Sequence, residues 1–143
     1  AAGLGFLLAV LWFDLMFDTQ TRAHAGELPP EVLASISGYY RRVTTDAYPM
    51  NRLVASVMVL TLVAICVQVA QGGKRWWVAW ASLAIVGLGV VLTLTRTVPN
   101  AVRLGSGVDT LAVQSSLARA IYADHLFSFA RTTLVLGLQL FAR

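Results

Sequence analysis

Four runs of apolar residues, Ala1–Phe17, Leu53–Ala70, Trp76–Thr95 and Leu126–Ala142, dominate the chain. Each approaches the ~20 residues that an α-helix needs to cross a hydrocarbon layer ~30 Å thick. The composition agrees, because 57% of the 143 residues are apolar and only 13% charged, against about 25% charged in soluble domains. That balance excludes a disordered chain. It also excludes a nucleic-acid partner, since the arginines stand singly between apolar stretches instead of lining one polar face. The chain therefore reads as an all-α integral membrane protein, one four-helix transmembrane domain in an antiparallel bundle. Its spans fall at about 1–18, 53–71, 76–95 and 126–142, with extramembrane helical connections at 19–52 and 96–125. The first run has no basic residue before it and no stop signal after it, so it reads as a mature span and not as a signal peptide.

The link from Gln71 to Arg75 is so short that the second and third spans must be antiparallel neighbours. The two long connections fall together on the opposite side. In the first, Pro29 and Pro30 precede Glu31 and then Val32, Leu33, Ile36, Tyr39, Tyr40 and Val43. This helical spacing, with proline and an acid in the first turn, predicts a helix on or just above the membrane. Pro49 should kink or break it before Asn51 and Arg52. In the second connection, Pro99–Gly107 reads as a turn-rich break. From Asp109 to Phe141 the pattern continues without a proline, and a helix of ~50 Å is expected, protruding well beyond the hydrocarbon.

All seven acids and eight of the eleven basic residues fall at the long-loop end, leaving Lys74, Arg75 and Arg143 on the short-loop side. The short loop is basic and acid-free, which places it and the C-terminus in the cytoplasm, with the protein in a bacterial inner membrane. Trp76, Trp77 and Trp80, next to Lys74 and Arg75, read as an interfacial belt. The single cysteine, Cys66, reads as a small core residue without redox chemistry.

Asp14 and Asp18 share one helix face at the end of the first span, a costly depth for a carboxylate without a partner or a wet cavity. Arg52, Arg96 and Arg131 are the nearest candidate partners on that side. Two readings stay open: these groups are internal ion pairs that fix the bundle, or they line a polar pocket with Asn51, Asn100 and His125. His125 is then the candidate catalytic base. Neither His24 nor His125 has the spacing of a metal-ligand pair, so no metal is expected, and no haem, flavin or other cofactor is signalled. Gly3, Gly5, Gly87 and Gly89 supply close-approach positions for helix packing, within the bundle or against another subunit.

The succession Arg96, Thr97, Val98, Pro99, Asn100, Leu104, Leu117, Arg119, Asp124, His125, Arg131, Thr132 resembles the small four-helix membrane proteins grouped with anthrone oxygenases. Those proteins show a Pro and an Asn after the third span and a His and an Arg at the start of the fourth. Tyr48 to Arg52 looks like the matching junction in the first half. The likeness covers about half the chain, and here His125 and Arg131 are six apart, farther than in the family pattern and not on one helical face. The resemblance implies the four-helix membrane fold and, for members acting on polyketides, cofactor-independent oxygenase chemistry.

The sequence thus supports two functions. One is a non-catalytic accessory or structural subunit that packs, through its small-residue faces, against other membrane subunits or a second copy. The other is a small membrane oxygenase or binder of a lipophilic small molecule, a quinone or aromatic polyketide, with its polar pocket on the long-loop side.

Overall fold

The computed structural model describes residues 1–141; Ala142, the end of the fourth apolar run, and Arg143 lie outside the described residues. All regular structure among these residues is helical. Helix α1 spans Ala2–Asp18 and tightens into a 3₁₀ turn at Thr19–Ala23; α2 spans Pro30–Arg41 and widens into a π turn at Arg42–Asp46. Helix α3 covers Met50–Gln71 and α4 covers Trp76–Leu92. A second π turn, Thr93–Thr97, leads from α4 into α5, Val98–Ser106, and the 31-residue α6 runs Leu111–Phe141. Three helical stretches, Ala2–Ala23, Met50–Gln71 and Trp76–Ser106, are long and apolar enough to cross a membrane. The fourth apolar run forms the second half of α6, where Arg131, Thr132, Thr133 and Gln139 dilute its hydropathy.

Local chemistry explains the boundaries. Pro30 starts α2, where a missing N–H costs nothing, and Glu31 lies at the positive end of its dipole. Between α3 and α4, Gly72 and Gly73 take φ of 64° and 123°, which only glycine adopts freely, and the chain reverses in four residues. The expected break at Pro49 is present, since α2 and its π turn end at Asp46 and α3 begins at Met50. The expected break at Pro99 is not there. Pro99 sits in the first turn of α5, immediately after the π turn, where its missing donor is tolerated, and the chain stays helical until left-handed Gly107. Asp109 then holds Arg103 at 2.8 Å across the α5–α6 turn, which keeps the carboxyl below its usual range.

Helices α1, α3, α4 and α6 neighbour one another in a ring, α1 on α3, α3 on α4, α4 on α6 and α6 on α1. Few residues inside it are buried: Leu4, Leu15, Ile65, Val78, Ala79, Ser82, Gly89 and Val135, with Asp18 at its long-loop end. That is the packing expected where the outer surface meets lipid and burial of apolar area brings no net gain. Cys66, expected inside, is on the exposed face of α3, because this helix packs through a narrow stripe around Ile65. Trp76, Trp77 and Trp80 each remain more than half exposed.

A second layer stands on the long-loop end of the ring. Helices α2 and α5 and the first half of α6 bury Leu28, Leu33, Ile36, Tyr40, Ala101, Leu104, Leu117, Ala118 and Ile121 together. Gly105 lets α5 touch the backbone of α2, since a Cβ there would meet the Arg41 nitrogen at 2.8 Å. The connection before α2 is stitched to α6. The Leu28 N–H donates to Ser115 Oγ at 2.9 Å, and the Arg119 guanidinium donates to the carbonyls of His24 and Gly26.

Candidate functional site

The junction between the two layers is polar. Asp14 and Asp18, one helical turn apart on α1, each accept a hydrogen bond from one of two consecutive tyrosines on α2. Tyr39 Oη donates to Asp14 Oδ1 and Tyr40 Oη to Asp18 Oδ1, both at 2.6 Å. The match arises because neighbouring residues on α2 diverge by about 100°, enough for two phenols to reach two carboxylates stacked along α1. Tyr39 is also stacked on Phe17, with ring centroids 4.0 Å apart, and the two tyrosine rings meet edge to face. Burial and the carboxylates drive both phenols far above their ordinary pKa, so they remain donors.

His125, at the end of the first half of α6, completes the cluster. Its Nδ1 lies 2.7 Å from Asp18 Oδ2 and 3.4 Å from Tyr40 Oη. With Asp18 fully buried and accepting on both oxygens, the imidazole proton is assigned to Nδ1. In the neutral form of the ring Nε2 then carries the lone pair. It has no hydrogen-bond partner among the described residues, and no side-chain polar atom of those residues is sealed inside without one, so Nε2 reaches the molecular surface. Burial lowers the pKa of His125, but the hydrogen bond to Asp18 and the negative charges of Asp14, Asp18 and Asp124 outweigh it and hold the group above its ordinary value.

The other candidate residues are distributed around this cluster. Arg96 pairs with Asp124 at 3.1 Å, and Thr97 Oγ1 donates to the same carboxylate at 3.4 Å. Arg52 lies over the Tyr48 ring, 4.8 Å from its centroid, and Asn51 Oδ1 accepts the Arg52 N–H at the exposed start of α3. Asn100 is half-buried on α5. Arg131 faces α4, where it reaches the Ile85 carbonyl at 3.5 Å, and it donates to Ser128 Oγ on its own helix at 3.2 Å. The structure therefore brings Asp14, Asp18 and His125 together. Their contacts are two tyrosines, while Arg52, Arg96 and Arg131 are engaged elsewhere.

Tyr39 and Tyr40 are the functional side chains that sequence reasoning passed over, reading them only as part of the apolar face of α2. The signal that could have found them was the pairing of two adjacent tyrosines with two acids spaced i, i+4. At the far end of the ring another polar contact was missed: the Gln139 amide donates to Gln68 Oε1 at 3.0 Å and to the buried Ser82 Oγ at 2.9 Å. Among the described residues, no group of three or more His, Cys, Asp or Glu side chains is placed to hold a metal ion. No protein-family model, curated protein or solved structure matches the chain.

Proposed function

We propose that the chain crosses the membrane four times, with the second half of α6 as the fourth span, and that its long-loop end is a proton-accepting site for a lipophilic small molecule. The observation that carries this reading is the Asp18–His125 pair: Nδ1 is bound to a buried carboxylate and Nε2 is left open to the surface. An aspartate behind a histidine fixes its tautomer and stabilises the imidazolium that forms when the far nitrogen takes a proton. The position suits a substrate that partitions into the bilayer and carries an enolisable or phenolic group, because it lies where the apolar ring ends and the polar layer begins. The same chemistry is what the anthrone-oxygenase resemblance implies. His125 removes the proton next to the carbonyl, and the resulting enolate reacts with dioxygen to give a quinone and water.

The test uses anthrone as the probe, with membranes containing the full chain under oxygen, and follows quinone formation. Wild type should exceed His125→Gln by about 10²-fold, the low end of what a positioned base supplies. Equal rates for the two would end this reading.

A second reading, a non-catalytic subunit of a larger membrane complex or of a homo-oligomer, is favoured by α3. Ile65 is its one sealed residue, while Val59, Leu60 and Val63 are each more than half exposed. Purification in mild detergent at native abundance decides it: a protein that runs alone, without partner or second copy, is not such a subunit. We place the short loop in the cytoplasm of a bacterial cell on the strength of Lys74 and Arg75.

A further inference from the structure

Arg131 lies five residues beyond Leu126, ~8 Å along the helix axis, inside the apolar half of α6. A cation at such a position normally faces a carboxylate or a wet cavity. Among the described residues no carboxylate comes within 4.0 Å of it. The one acid on the same face of α6, Asp124, is already held by Arg96 and Thr97.

The guanidinium is nonetheless held in place. It occupies a slot in α4 made by Gly89, where any side chain would overlap it. One nitrogen reaches the Ile85 carbonyl, another donates to Ser128 Oγ, and the Phe127 ring lies 5.6 Å from its carbon. A guanidinium has five N–H donors, and these two contacts leave the rest without a protein acceptor. Nε, which makes neither contact, is not sealed in, since among the described residues no buried side-chain polar atom lacks a partner, and Arg131 as a whole is only half-buried at the α4–α6 seam. The rim there is apolar: Leu88, Phe127 and Leu134 are each about half exposed.

We propose that Arg131, seated in the Gly89 slot, binds the oxyanion head of an amphiphile, a phosphate or a carboxylate, whose tail lies along Leu88, Phe127 and Leu134. A planar guanidinium matches both oxyanions with paired hydrogen bonds. Its depth allows a head group drawn slightly inward from the interface to meet it while the tail stays in hydrocarbon. The site is on a different face of α6 from His125 and does not depend on the proton-accepting role of that residue.

The experiment uses the full chain in a neutral detergent, with oleate, dioleoyl phosphatidic acid, uncharged oleyl alcohol and inorganic phosphate as probes. Bound amphiphile is counted by native mass spectrometry, and affinity is read from the shift in melting midpoint. One oleate or phosphatidic acid per chain is expected, with affinity at least about tenfold weaker for Arg131→Gln and partly retained for Arg131→Lys. A Lys74→Gln, Arg75→Gln double variant, which alters the other end of the ring, should bind as wild type does. Displacement of the lipid by equimolar inorganic phosphate would assign the site to free phosphate; retention of the lipid would assign it to a head group. Equal binding by Arg131→Gln and wild type overturns the proposal, as does binding of oleyl alcohol as tightly as oleate. If Arg131→Gln does not fold, the comparison of oleate with oleyl alcohol on wild type and Arg131→Lys still decides.

Discussion

Asp18 and His125 stand 107 positions apart in the chain and meet at 2.7 Å across α1 and α6, with the carboxylate fully buried. A charged group sealed in this way is tolerable only when its lone pairs are engaged. Asp18 meets that condition by taking the imidazole on one oxygen and the Tyr40 hydroxyl on the other. Three helices are thereby tied at one point, and the orientation of the base is fixed by the same contacts that hold the fold.

Removing one donor should therefore be costly. In Tyr40→Phe the ring still fills its place, but Asp18 Oδ1 is left buried without a partner, a loss of about 1–3 kcal/mol. Tyr39→Phe should cost less, because the Asp14–Tyr39 contact is only partly buried and the ring stays stacked on Phe17. Unfolding in detergent measures both, and a larger effect for Tyr39→Phe would contradict the assignment of Asp18 as the sealed carboxylate.

The pair should also make stability depend on pH. The folded pKa of His125 is raised above its ordinary 6.5. Its contribution is then fully present below that value and is lost as pH rises through the folded pKa. The gap in melting midpoint between wild type and His125→Gln, followed from about pH 5.5 to about pH 9, should be widest at the acid end. A gap that is constant, or that grows with pH, would contradict a protonated His125 bound to Asp18.

The helices were legible because the apolar runs and the Pro–Glu start of α2 are local signals with a helical period. Asp14, Asp18 and His125 were legible as candidates because charge near hydrocarbon is expensive wherever it occurs. Their partners were not. A tyrosine on an amphipathic helix looks the same whether it fills a core or donates to a carboxylate, and arginines are the stronger electrostatic guess for Asp14 and Asp18. The guess fails because Asp124 and Tyr48 engage Arg96 and Arg52, while α4 holds Arg131. Nor does periodicity show a π turn such as Thr93–Thr97, which carries α4 through into α5 where Pro99 and the glycines suggest a break.

Glycines on the two faces of the upper layer should respond oppositely. Gly105→Ala places a methyl against the Arg41 backbone, which cannot move as a side chain can, and should destabilise by about 1–3 kcal/mol. Gly38, in α2, has open space where a methyl group would stand, with no atom within 4 Å, and should gain about 0.5–1 kcal/mol as alanine. Thermal unfolding of the two variants gives the comparison, and tolerance of Gly105→Ala would mean that α2 and α5 do not touch at this point.

Side-specific labelling tests the four crossings. In a Cys66→Ser background, single cysteines replace Arg42 and Ser106 at the long-loop end, Lys74 in the short loop, and Phe141 at the described end of α6, all of them exposed. An impermeant maleimide applied to sealed vesicles of one orientation should reach positions 42 and 106 together and exclude 74 and 141, with the reverse pattern in inverted vesicles. The decisive residue is Phe141, because Arg131 and Gln139 make the second half of α6 the most polar of the four segments. Labelling of position 141 from the same side as position 42 would mean that α6 does not cross.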